Sequence, residues 1–431
     1  MALLAGEVDT DVREELLARY RRIRGETEQL VDPLSAEDMQ LQSMPDASPT
    51  KWHLAHTSWF FETFLLRPHL AGYRQFDPDF HQLFNSYYNS LGTPFSRPHR
   101  GLLSRPHLDT VFAYRRSVDR HMAALLSADE WRPELEYLVI LGLNHEQQHQ
   151  ELLLTDIKHA FSINPTMPAY SAADDDGESG DEEAANEVRW LDIAGGIYSI
   201  GSEGEHFYFD NEGPAHRQLL QDFRIASRLV TNSEYREFIR DGGYREPRLW
   251  LSDGWSWLQK TRASHPLYWR EREGHWYQFT LAGLQPLRGA EPACHLSFYE
   301  ADAFATWAGK RLPTEFEWEV AACLLRQPDQ LAVANLLEKR LFGPVAAAPG
   351  QPQFLGDLWE WTASAYHPYP GFRASEDAVG EYNGKFMCNQ KVLRGGSCIT
   401  PADHIRMSYR NFFYPHQAWQ FTGIRLAGDA V

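Results

Sequence analysis

The chain is poor in the features that would make several large classes of function available. It has four cysteines in 431 residues, Cys294, Cys323, Cys388 and Cys398, with no C-x-x-C spacing. That excludes a disulfide framework and a thiolate metal ribbon, and makes a reduced, cytoplasmic setting the expectation. No apolar run reaches the length of a bilayer span, so no membrane partner is expected. The N-terminus turns acidic at once and lacks the basic start of a secretory leader. Positive charge is also scarce: Lys plus Arg number 41 against 59 Asp plus Glu, a net charge of −18. Eight of those acids lie between Asp174 and Glu187, and the rest of the chain still balances at −10, which argues against nucleic acid as a partner. There is no internal repeat and no phosphate-cradling glycine loop.

What is present is globular: 43% hydrophobic and 13% aromatic residues. The chain centres on Leu138 to Ile157, whose Leu138, Leu141, His145, Gln148, His149 and Leu152 recur at steps of three and four and share one face of a helix. His145 and His149 stand one turn apart on that face, the spacing at which two imidazoles grip one ion. A third ligand is sought in Ser48 to Leu66, read as a helix with Ser48 as N-cap and Pro49 in its first turn. Trp52, Ala55, His56, Trp59 and Thr63 share its face. His53 lies about 60° away, so His56 is the expected ligand. A three-histidine face with open positions suits Fe(II) chemistry with O2, though zinc also accepts three histidines. A rival reading is the literal H-E-x-x-H of His145 to His149, a zinc hydrolase with Glu146 as general base. The longer protease pattern fails, because Leu152 and Asp156 supply neither its glycine nor its third histidine.

Taken in order, Val8 to Leu30, Ser48 to Leu66, Leu108 to Leu126 and Trp131 to Ala160 read as four helices, with a long loop over His81 to Arg105. These make a four-helix bundle across residues 1–170 with the metal between facing helices. Residues 171–187 read as an acidic linker. Residues 188–431 change to Gly, Trp, Tyr and short strands such as Trp190 to Ile193, with short helices at Asn232 to Arg240, Leu296 to Ala308 and Glu315 to Ala322. This is a loop-rich α+β domain, so the fold class is α+β.

Strings along that second part carry a resemblance: Asn211 to His216, Val230 to Tyr235, Trp307 to Glu315, Gly356 to Thr362, Arg394 to Ser397 and Gly423 to Leu426. Together they resemble the formylglycine-generating-enzyme (sulfatase-modifying factor) family, a C-type-lectin-like fold. Those enzymes carry a copper-binding cysteine pair after the R-G-G-S string. Here the segment Cys398 to Arg406 has one cysteine, so the fold is expected without that chemistry. The first domain resembles the DinB-like bundle through Trp52-His53-Leu54-Ala55-His56 and His145 to His149. The two in series resemble the ergothioneine-biosynthesis sulfoxide synthases (EgtB-like).

That resemblance implies Fe(II) held by His56, His145 and His149. It implies hercynine, a thiol and O2 as reactants, with a new carbon–sulfur bond and a sulfoxide as the outcome. It also implies a catalytic role for Tyr87 and Tyr88, which match the tyrosine pair of the branch that uses cysteine. A trimethylammonium substrate calls for aromatic faces, so hercynine recognition is expected at Asn411, Phe412, Phe413, Trp419 and Gln420, with Gln148 beside the metal. Arg97, Arg100 and Arg105 are candidate surface charges for the co-substrate's amino-acid ends. The loop Asn89 to Pro94 departs from the usual form by losing an acid and a base. This raises an alternative in the selenoneine synthase (SenA-like) branch, with a selenol co-substrate derived from a seleno-sugar.

Overall fold

The computed structural model describes residues 2–128, 133–172, 186–204, 206–327, 329–350, 352–376 and 378–430. Most of the acidic linker, residues 173–185, lies outside them. The chain divides into two compact units, Met1–Ile163 with Glu376–Tyr382, and Asn164–Ser375 with Asn383–Val431.

The first unit is built on four long helices: α1 (Ala2–Val31), α2 (Thr50–Phe61), α3 (Leu108–Leu126) and α4 (Pro133–Ile163). Both α1 and α2 pack against α3 and α4. Every residue of α2 is buried, which makes it the central helix of the bundle. It continues as a π-helical stretch, Glu62–Leu66, and a last turn, Arg67–His69. The glutamate that opens the π stretch is fully buried, and its carboxylate accepts hydrogen bonds from the Tyr73 and Tyr114 hydroxyls, both at 2.6 Å.

Two local expectations are corrected. The N-cap of α2 is Pro49, not Ser48. The Ser48 amide donates to Asp156 and its hydroxyl accepts from Arg100, so tertiary partners replace the cap. The loop His81 to Arg105 is interrupted by helical turns at Phe80–Leu83, Asn89–Leu91 and Arg97–Leu102.

Helix α4 is embedded on more than one face. The stripe through Leu138, His145, Gln148 and Leu152 is half-exposed at its ends, whereas Leu135, Val139, Leu143, Glu146, Gln150, Leu154 and Ile157 are buried. Polar residues occupy that deep face because α1 and α3 bring them partners. The approach of α4 to α2 is set by Gly142: a Cβ there would stand 2.6 Å from the Phe61 ring and 3.0 Å from Phe60.

The second unit is α+β, in four small sheets. Strands β1 (Trp190–Ile193), β4 (Phe223–Ala226) and β12 (Ala427–Asp429) form one, in the order β1-β4-β12. A hairpin of β2 (Gly196–Ile200) and β3 (His216–Leu220) forms another. A meander of β5 (Trp269–Arg272), β6 (His275–Thr280) and β7 (Gly283–Pro286) forms a third. The fourth, ordered β10-β9-β8-β11, joins β8 (Trp359–Ala365), β9 (Lys391–Arg394), β10 (Asn411–Phe413) and β11 (Thr422–Gly423), with only the β8–β11 pair parallel.

Its longer helices, α5 (Asn232–Arg240), α6 (Ser252–Thr261), α7 (Phe298–Trp307) and α8 (Glu315–Leu324), include three that open on reciprocal caps. These are Thr231 with Glu234, Ser297 with Glu300 and Thr314 with Glu317, each serine or threonine spaced three residues before its glutamate. Thr231, Glu234 and Thr314 belong to the strings singled out in the sequence, which thus supply structural groups. Glu360 of the Trp359-Glu360-Trp361 run is buried and accepts from Trp318 at 2.6 Å and Arg425 at 2.7 Å. Among the described residues none of the four cysteines is paired in a disulfide. Among the described residues no helix is long and apolar enough to cross a membrane.

The close approach at Gly142 yields a test. Substituting Gly142→Ala forces α4 away from Phe61, and overpacking of this kind costs about 1–3 kcal/mol. The expected outcome is a thermal midpoint several degrees lower, read by circular dichroism, with weaker retention of any ion that spans α2 and α4.

Candidate metal centre

Helix α2 supplies His56 and helix α4 supplies His145 and His149, and their ligand nitrogens lie within 4.8 Å of one another. The His56 ring is stacked on Trp52 at 4.5 Å and on Trp59 at 5.6 Å, both 17° from parallel. His145 stacks on Phe60 at 4.7 Å. These aromatic contacts fix the ring planes before any ion arrives. The His56 Nδ1 lies 2.6 Å from the Phe84 carbonyl. A carbonyl only accepts, so Nδ1 carries the proton and Nε2 presents its lone pair. Burial is the main cause that pushes all three imidazoles down, His145 to about 3 and the other two well below the ordinary histidine value, so all are neutral donors at neutral pH.

The spacing fits an ion. The Nε2 atoms of His56 and His145 are 3.1 Å apart. Two imidazoles bound at about 2.1 Å and at right angles would lie about 3 Å apart. Three neutral nitrogen donors from two helices suit a first-row divalent metal with positions left open.

Further groups of the same unit surround the histidines. Gln148, on α4 between the two histidines, accepts a hydrogen bond from the Tyr382 hydroxyl. The Tyr382 ring lies 5.8 Å from His145 and 6.4 Å from Tyr87. The segment that carries Tyr382 is tied down by its neighbour. Glu381 accepts from the Asn89 amide at 3.1 Å, the Ser90 amide at 2.9 Å and the Ser90 hydroxyl at 2.6 Å. Tyr382 was missed by reasoning from sequence, since it lies more than 230 residues from His149 in a loop with no periodicity.

Tyr87 and Tyr88, both singled out, stack on each other at 4.7 Å but differ in setting. Tyr87 is half-buried, whereas Tyr88 is fully buried against Trp59 and Phe64. Burial, with Tyr87 alongside, raises the Tyr88 phenol well above its ordinary value, so it holds its proton.

Of the remaining candidates, one differs from expectation in its burial. Arg97 and Arg105 are exposed. Arg100 is not a surface charge: it is 2% exposed, its guanidinium sits 3.4 Å from the Trp52 ring centroid and it donates to Ser48 at 2.9 Å. Its apolar stem and cation–π contact account for the burial. Asn411, Phe412, Phe413, Trp419 and Gln420 belong to the second unit. There Phe412 stacks on Tyr366 at 4.2 Å and on Phe386 at 5.9 Å, and Phe413 meets Trp419 edge-on at 5.9 Å. The Gln420 side chain donates to the Gln417 carbonyl at 3.0 Å, while its own amide oxygen is buried without a partner among the described residues.

Glu146 does not face the histidines' ligand atoms. Its carboxylate is fully buried and accepts from Arg24 at 2.9 Å, Arg115 at 2.5 Å and Thr27 at 2.7 Å. The two guanidiniums overcome the desolvation of the charge and hold its pKa at about 2. A carboxylate so held neither takes a proton from water nor reaches a substrate, which removes the general base that a hydrolase reading requires.

Residues 19–153 match the DinB superfamily, and residues 177–328 and 342–430 match the sulfatase-modifying factor enzyme 1-like domain. The protein is thus a helical DinB-type domain joined to an α+β domain of the sulfatase-modifying type. It is 33% identical to the hercynine oxygenase of Mycolicibacterium smegmatis, an alignment covering 98% of this chain and 99% of that one. It is 34% identical to that of Mycolicibacterium thermoresistibile, covering 97% and 95%. The formylglycine-generating enzyme of Streptomyces coelicolor is 27% identical over 55% of this chain and 88% of its own. The chain belongs to the hercynine oxygenase family and is an oxidoreductase.

The Glu146 network yields a second test. Removing one member of a buried ion-paired group costs about 3–5 kcal/mol, so Glu146→Gln is expected to lower the denaturation midpoint whether or not metal is bound. The carboxylate's folded pKa is depressed, so its contribution is complete above about pH 4.5 and is lost as pH falls towards about 2. Acid titrations followed by circular dichroism should show that slope in the parent protein and a flatter limb in the variant.

Proposed function

We propose that this chain catalyses O2-dependent joining of hercynine to a thiol, cysteine as the first choice, through a new carbon–sulfur bond with oxidation to the sulfoxide. The observation that carries the reading is the convergence of three neutral imidazoles, His56, His145 and His149, from two helices of a bundle in a chain of this family. Fe(II) held there would supply redox chemistry and neighbouring open positions for the substrate imidazole, the thiol and O2.

The chain's own groups have the remaining work. The two tryptophans and Phe60 hold the imidazole planes. Tyr382 is the group best disposed to give a proton and take it back: its hydroxyl is held by Gln148 and its ring adjoins His145. Tyr87, beside it, is the second such group, and Tyr88 packs behind Tyr87 as a proton-retaining support. Phe412, Phe413 and Trp419 supply aromatic faces of the kind a trimethylammonium cation prefers, with Asn411 and Gln420 as their polar neighbours. Arg97 is the accessible cation for a co-substrate carboxylate, and Arg100 contributes its field from the interior.

A seleno-sugar donor is the second reading. The loop Asn89 to Pro94 contains no charged side chain, and the Asn89 and Ser90 amides are taken by Glu381. A neutral donor is compatible with that setting. The protein is taken to act in the cytoplasm, in keeping with its small number of cysteines.

The test is oxygen consumption by protein loaded anaerobically with Fe(II), given hercynine and, in turn, cysteine, γ-glutamylcysteine and a seleno-sugar, with mass spectrometry of the product. Uptake with one donor and a matching hercynine adduct is the expected result. Tyr382→Phe should retain the metal and turn over about 10²-fold or more slowly. Protein that holds zinc and consumes no oxygen with any donor would overturn the reading.

A further inference from the structure

The W-H-x-A-H run contains two histidines, and the one not assigned to the metal has a defined place. His53 is 3% exposed. Its Nδ1 lies 2.8 Å from Nδ1 of His149, and its Nε2 lies 3.2 Å from Oδ2 of Asp156, itself 7% exposed. The same Oδ2 accepts the Ser48 amide at 2.8 Å.

These contacts settle the proton positions in sequence. The Ser48 amide can only donate and the carboxylate oxygen accepts from it, so Oδ2 is an anchored acceptor. His53 therefore donates to it from Nε2, which leaves Nδ1 of neutral His53 as an acceptor. The hydrogen between the two Nδ1 atoms then belongs to His149, and the His149 lone pair resides on Nε2. A backbone amide at the start of α2 thus dictates, through a carboxylate and one imidazole, the tautomer of another imidazole on α4.

We infer that His53 and Asp156 are positioning residues, an outer-sphere relay that locks His149 as an Nε2 ligand and raises its donor strength. This rests on the three-histidine reading above and deepens it. The ligands are then unequal by construction. His149 is backed by a carboxylate through His53, His56 by the neutral Phe84 carbonyl, and the His145 Nδ1 is buried without a partner among the described residues. Partners that orient a metal-bound histidine typically change metal affinity by about 10–100-fold. The relay makes His149 the most firmly held ligand for a first-row divalent ion and His145 the least.

The test is titration of the full-length protein with Co(II), read as its ligand-field absorption and as a dissociation constant against a competing chelator. Five proteins are compared: the parent, His145→Ala, His53→Leu, Asp156→Asn and the double variant of His53→Leu with Asp156→Asn. Binding by the parent and loss of binding in His145→Ala establish the site itself. Against that background His53→Leu and Asp156→Asn should each weaken Co(II) by about 10–100-fold and shift the absorption bands, with the double variant no weaker than the worse single. A purely structural role would alter the melting curve and leave the bands of the bound ion in place. Asp156→Asn retains an oxygen for the Ser48 amide and serves if His53→Leu does not fold. Dissociation constants within twofold of the parent, with unchanged bands, would overturn the relay while leaving the three-histidine site intact. A parent that binds no Co(II), or a His145→Ala protein that binds it equally well, would overturn the site and the relay together.

Discussion

A single buried carboxylate organises the helical unit. Glu146 sits at the centre of the bundle on α4, receiving Arg24 and Thr27 from α1 and Arg115 from α3. Arg24 also reaches Ser58, and Arg115 reaches Thr57, both on α2. All four helices therefore meet through one set of charge-assisted hydrogen bonds. A lone buried charge is unfavourable by several kcal/mol, so the helices gain only when every member is in register. Glu146 immediately follows His145, and the residue pair thus points a structural anchor one way and a member of the histidine cluster another. The rotation of α4, and with it the direction of both its histidines, is held by the anchor.

The same division of labour appears around His56. Trp52 and Trp59 set the plane of His56, Phe84 its tautomer, and Gly142 the distance between α2 and α4. The result is a cluster of neutral nitrogens, two of its three histidines buried and the third half-buried. Such preorganisation is what a redox metal with open positions requires, because ligands that shift during turnover would expose it to competing reactions. Around it, Tyr382 and Gln148 introduce a polar, proton-bearing element from a distant part of the chain, and Glu381 fastens that element to the Asn89–Ser90 turn.

The second unit shows how far strings shared with a family can be followed. Within them Thr231 and Glu234 become a reciprocal helix cap, Thr314 caps α8, and the glutamate of Trp359-Glu360-Trp361 becomes a buried partner for Arg425. These residues build the fold, and Cys398, the one cysteine of the segment after the R-G-G-S string, is buried. A fold of this kind does not by itself specify a chemistry, which is set by the groups of a site.

Local periodicity was enough to identify α3 from Leu108 to Leu126, α5 from Asn232 to Arg240, and the His145–His149 pair one turn apart, because these depend on residues within a few positions of each other. The aromatic stripe beside His56 pointed to that histidine of the W-H-x-A-H run, and His56 lies with His145 and His149 in one cluster. Only the tertiary structure decided the rest. It replaced the Ser48 cap with Asp156 and Arg100, drew Arg100 into the interior beneath Trp52, and turned Glu146 away from the ligand atoms. It also brought Tyr382 to Gln148, across a separation that no local pattern encodes. The physical reason is common to all of these. Propensity and periodicity report on neighbours along the chain, whereas the state of a buried polar group is set by which partners the packing brings within hydrogen-bond reach.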